Sequence, residues 1–238
     1  MGDIFQIWVY LSATPLLWLT VTLVAYVAAD TLSAKLKRHP AANPVVFAAA
    51  AIIAILLVSD TSFETYFDGA QFVHFLLGPA TVALAVPLYT NFSAVRSALL
   101  PMLVALFAGS LTAVGSAVAI AWSLGASGET LISIAPKSVT APIAMGISEA
   151  LGGLPTLTAV LVVLTGVIGA MTVTPLMNAL RIRDYAARGF AVGLASHGIG
   201  TARAFQVNEL AGTFAGIAMG LNAFLTAILV PLLVGLVR

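Results

Sequence analysis

Lys137 stands inside an apolar stretch, Ile134–Glu149 (IAPKSVTAPIAMGISE), with Pro136 before it, Ser138 and Thr140 after it, and Pro142 beyond. A lysine at bilayer depth costs roughly 2.5–3.5 kcal/mol on insertion scales. The two prolines each remove a backbone donor, so no regular helix runs through unperturbed. Broken backbone at that depth persists only where it is buried in protein or lines a watery cavity. The pattern predicts half of a solute-binding site. The competing reading is a lysine near a membrane surface that snorkels to water, with the prolines marking a loop.

A second stretch, GFAVGLASHGIGTARAF, sets His197, Thr201 and Arg203 among glycines. Gly198 and Gly200 free the backbone there, so its amides can reach a ligand. His197 either titrates near neutral pH and couples transport to protons, or serves as a hydrogen-bonding spacer at a helix break. The hydroxyls of Ser138, Thr140 and Thr201 suit a carboxylate, although hydroxyls in membrane helices also bond their own backbone. Neither zinc-ligand spacing, nor a phosphate loop, nor a Ser-His-acid set occurs, so no enzyme, metal or cofactor is expected.

The chain surrounding these residues has 238 residues, 61% hydrophobic and 8% charged; soluble domains carry about 25% charged residues. A polytopic all-α membrane protein follows. A net charge of +1 and the lack of cysteine exclude a nucleic-acid partner, disulfides and thiol chemistry. Of the ten Lys and Arg residues, only Lys137 and Arg203 fall outside predicted turns and ends, while the carboxylates sit at segment edges or in connections. Glu149 is about 18 Å from Lys137 along a helix. Two cations in an anion-poor interior need a counter-charge. A small anionic solute clamped by Lys137 and Arg203 would supply it, aided by helix N-termini at the breaks. The alternative is that the acids fold back onto these cations.

At about 20 residues per span, seven to eight segments are predicted, starting near Ile4, Pro44, Gln71, Leu99, Ile134, Leu157, Gly189 and Ala211. Trp8, Tyr10 and Trp18 are candidate interface anchors. Two or three segments are broken or re-entrant, at Pro79, at Pro136 and Pro142, and around Gly198. A shift of 57 residues superposes Pro79 on Pro136 and Gly109 on Gly166, which suggests an internal, inverted repeat; shared composition is the other explanation. The positive-inside rule gives a tie if every segment crosses. Making the segment at Lys137 re-entrant puts both basic turns, Lys35–Arg38 and Arg181–Arg188, in the cytoplasm.

Four blocks, GPATVALAVPLY (Gly78–Tyr89), PKSVTAPIAMGIS (Pro136–Ser148), GGLPTLTA (Gly152–Ala159) and ASHGIGTARA (Ala195–Ala204), resemble the signature blocks of the LrgB/CidB family. The chain reads as one LrgB-type transmembrane domain, 1–238, most characteristic from about residue 44. The resemblance implies a multi-pass protein of the bacterial cytoplasmic membrane, with an LrgA/CidA-type membrane partner and a possible homo-oligomer. It carries two functional readings. One is transport of small monocarboxylates, since the C-terminal half of the plastid glycolate/glycerate transporter is similar to this chain. The other is an antiholin-like regulator of murein hydrolase export and lysis, whose surface would be the small-residue face of Gly109, Ser110, Gly115 and Ser116.

Overall fold

The structure is a computed structural model describing residues 15–76, 79, 82–83 and 85–237. The described residues are helical, without strands. They form α1 (Pro15–Lys35), α2 (Pro44–Val58), α3 (Phe63–Phe75), α4 (Ala85–Thr90), α5 (Phe92–Ser97), α6 (Leu99–Ser123), α7 (Gly128–Ile134), α8 (Ala141–Leu151), α9 (Pro155–Ala179), α10 (Tyr185–Val207) and α11 (Glu209–Val237). Among the described residues, four stretches are long and apolar enough to cross a membrane: Leu16–Lys35, Leu99–Ser123, Pro155–Ala179 and Glu209–Leu236. The chain forms two compact units, Met1–Ala83 and Leu84–Arg238.

In the first unit Trp18 is fully buried, its ring edge-on to Tyr66 at 5.9 Å. It is a packing residue, not the interface anchor expected, because α3 supplies an aromatic partner. Trp8 and Tyr10 lie outside the described residues. The acidic run DTSFETYFDG is largely helical and opens α3. Asn43 caps α2 by accepting a bond from the Val45 amide at 2.9 Å. Arg38 pairs with Asp30, so the acid ending α1 is answered by the basic turn after it.

The second unit is built on three long helices and two hairpins. α6 and α11 run in the same direction: Met102 and Leu106 pack with Phe214 and Ala218, and Val114 packs with Val230. We call the end where α6 starts the lower face and the end where it stops the upper face. α9 descends between them, with Thr158 near the upper face, Val162 at mid-depth beside Ala223, and Val173 low beside Ala211. Pro155 starts α9, at a position where its missing N–H has no helical partner to lose.

The first hairpin is α7 and α8. α7 begins at the upper face and ends at mid-depth, where Ala135 joins the Val114 cluster. Residues 135–138 form turns, with Pro136 fully buried among them, and Thr140 is extended. α8 then climbs back: Ala144 packs at the level of Val162, and Ile147 at the level of Val230. Pro142 occupies the first turn of α8, which it starts rather than breaks. The segment at Lys137 is therefore re-entrant. Buried hydroxyls pin it: Ser133 accepts from the Leu154 amide at 2.8 Å, and Thr158 Oγ1 lies 2.8 Å from Ser148 Oγ.

The second hairpin is α10 itself. Ser196 (φ −132°, ψ 17°) and His197 (φ 41°, ψ −137°) are non-helical and split it into two arms. In a straight helix Val192 and Gly200 would stand about 12 Å apart. Instead a Cβ on Gly200 would lie 3.0 Å from the Val192 carbonyl, so the chain reverses. The first arm rises beside α11, Gly189 against Ala211 and Gly193 against Ala215, and the second descends, bringing Ala204 back to Ala211. This hairpin enters from the lower face.

Of the suspected repeat, α6 and α9 are each 25 residues long and start 56 residues apart, close to the 57-residue shift (155 against 99). Gly109 and Gly166 both make room for the second hairpin, at Leu194 and at His197. Pro79 is exposed, and its neighbours 77, 78, 80 and 81 lie outside the described residues.

Candidate functional site

The two hairpin tips meet at Asn222, buried near the middle of α11. Its Nδ2 donates to the Ser138 carbonyl at 3.3 Å and to the Leu194 carbonyl at 3.0 Å. Its Oδ1 accepts from Ser110 at 2.6 Å and from Thr226 at 3.2 Å. One side chain thus ties the first tip, the second tip and α6 together. In the sequence it is a lone amide in an apolar span.

Lys137 is part-buried on the first tip and donates to Ser138 Oγ at 3.2 Å. Among the described residues no carboxylate lies within ion-pair distance of it. His197 is itself buried, with Nε2 2.9 Å from the Val162 carbonyl on α9. A carbonyl only accepts, so Nε2 carries the proton. The imidazole lies over Gly166 and Ser196 over Gly169; a Cβ at either glycine would collide with them. This glycine pair was visible in the sequence, but nothing there said what would fill it.

Thr140 is the N-cap residue of α8, and its hydroxyl makes no capping bond. The N-terminus of α8 and that of the second α10 arm both start at the tips. Helix N-termini carry positive potential and unpaired amides, so both favour an anion there. Gly198 lies open at the second tip, with Met219 Sδ 3.9 Å from where a Cβ would stand. Gly200 serves the hairpin's closure against Val192. Thr201 bonds back to the His197 carbonyl at 2.8 Å, within its own chain segment.

Arg203 is placed apart from this group. It lies six residues beyond the tip, about 9 Å along the arm. There it lines a small cleft toward the lower face with Tyr185, Arg188 and Thr174, and donates to Gln206 at 3.4 Å. The structure therefore brings Lys137, Ser138, Thr140, His197 and Gly198 to one level and leaves Arg203 at the base of the second hairpin. Among the described residues no three His, Asp or Glu side chains gather to hold a metal.

Residues 22–236 match the model of the LrgB-like family. The chain belongs to that family. It is similar to YxaC of Bacillus subtilis, 36% identical over 218 residues, covering 91% of this chain and 94% of that protein. It is also similar to the holin-like protein CidB of Staphylococcus epidermidis, 31% identical over 229 residues, covering 94% and 97%. The holin-like protein CidB of Staphylococcus aureus is 31% identical over 223 residues, covering 92% and 95%. No solved structure matches. With its membrane-length helices, this LrgB-like chain is a multi-pass bacterial membrane protein.

Proposed function

We propose that this LrgB-like protein carries a small monocarboxylate, of the glycolate, glycerate, lactate or pyruvate type, across the membrane. The carrying observation is that two re-entrant hairpins from opposite faces meet at mid-depth beside a part-buried lysine whose observed partner is a hydroxyl. Lys137 is the counter-charge of the carboxylate. Ser138 and Thr140 hydrogen-bond it, and the amides at Gly198 and the start of α8 complete the shell. His197 walls the site from the second tip. Arg203 acts from the base of the second hairpin and draws anions toward the lower face.

The test is uptake of labelled glycolate by proteoliposomes. Loss of a charge-assisted contact, about 1.5–3 kcal/mol, lowers uptake by Lys137→Ala at least about tenfold. Uptake equal to wild type removes Lys137 from the site.

A second reading is a holin-modulating role with an LrgA/CidA-type partner, supported by the holin-like names of the CidB relatives. The small-residue face it needs is split. Gly109 is covered by Leu194 and Ser110 bonds Asn222, leaving Gly115 and Ser116 exposed. Gly115 lines an apolar groove of about 660 Å³ between α6, α7 and α11 at the upper face. On this reading, lysis phenotypes follow bulky substitutions at Gly115 and ignore Lys137.

A further inference from the structure

We infer that Asn222 is a positioning residue that latches both hairpin tips shut, so that a substrate's access from either face depends on breaking one of its two N–H bonds. Two carbonyls face its nitrogen and two hydroxyls face its oxygen, which fixes the orientation of the amide and uses all four of its bonding positions. The halves of the network do different work. The oxygen anchors Asn222 to the long helices α6 and α11, through Ser110 and Thr226. The nitrogen holds only backbone of the two tips. Each tip is the end of a hairpin rooted at one face, the first at the upper face and the second at the lower. Release of the Ser138 carbonyl frees the first tip alone, and release of the Leu194 carbonyl frees the second alone. A single amide that holds both therefore opposes opening on either side. Net worth per bond is that of an ordinary hydrogen bond, small enough to be broken in each cycle.

The assignment rests on the transport reading for what the openings serve, but its test needs no substrate. The chain has no cysteine, so Val139→Cys reports on the first tip and Ser196→Cys on the second; both positions are buried to within 1% exposure. Each single-cysteine protein is reconstituted and treated with a membrane-impermeant thiol reagent on both sides. Asn222→Asp keeps an acceptor for Ser110 and Thr226 but offers one O–H at most, so at least one tip loses its tie. Labelling of at least one reporter is expected to rise about tenfold, the equivalent of roughly 1.4 kcal/mol in the opening equilibrium. Thr226→Val removes a donor to the oxygen and leaves both tip bonds, so both reporters should stay within about twofold of the parent. Labelling unchanged in Asn222→Asp overturns the latch. So does an equal rise in Thr226→Val, which would mark general loosening. Should Asn222→Asp not purify folded, Asn222→Gln, which moves the donors by one methylene, is read against the same two outcomes. Absence of glycolate uptake by the wild-type proteoliposomes would sink the transport reading and leave these labelling results untouched.

Discussion

His197 holds φ 41°, ψ −137°, a region that glycine enters freely and that costs other residues about 1–3 kcal/mol. A glycine follows directly at 198, yet the reversal falls on the histidine. The bond from Nε2 to the Val162 carbonyl and the space over Gly166 hold it there. The strain and the bond separate under substitution. His197→Gly and His197→Ala both lose the imidazole, but only alanine keeps the backbone penalty. The glycine variant should be the more stable by about 1 kcal/mol, read as the higher melting temperature in detergent, and neither should transport. An alanine variant at least as stable as the glycine variant would mean that the backbone at 197 is relaxed.

At the scale of elements, the hairpin of α10 depends on close backbone approach to α11. A Cβ on Gly193 would sit 2.0 Å from the Ala215 carbonyl, and backbone there has little room to yield. Gly193→Ala should displace the rising arm and destabilise the protein by at least about 2 kcal/mol, in the range of overpacked cores. Gly146, on the exposed side of α8, has nothing within 4 Å of such an atom. Gly146→Ala should instead stabilise α8 by up to about 1 kcal/mol through helix propensity. Thermal unfolding of the two variants side by side checks the contrast; shifts of the same sign would contradict the packing described. The small residues legible in the sequence thus divide by tertiary context into those that admit a neighbour and those that admit none.

At the scale of the molecule, the re-entrant first hairpin places Arg96 and the turn Arg181–Arg188 on the lower face of the second unit, since α6 starts and α9 ends there. The positive-inside rule predicts that this face is cytoplasmic. In intact cells an impermeant thiol reagent should label Ser127→Cys, at the upper start of α7, and should label Arg183→Cys only after permeabilisation. The reverse pattern would invert the assignment. Composition alone determined the class of protein, because a chain with this few charges cannot cover a water-facing surface. Prolines and glycines located both breaks, because backbone donors and φ limits are local properties. Lys137 was legible for the same reason: its cost in an apolar stretch is paid wherever the chain goes. Only the tertiary structure decided that the two breaks face each other, that Asn222 joins them, and that Arg203 stands apart from Lys137. Those are distances between residues far separated in sequence, set by which glycines let helices approach, and no local pattern carries them.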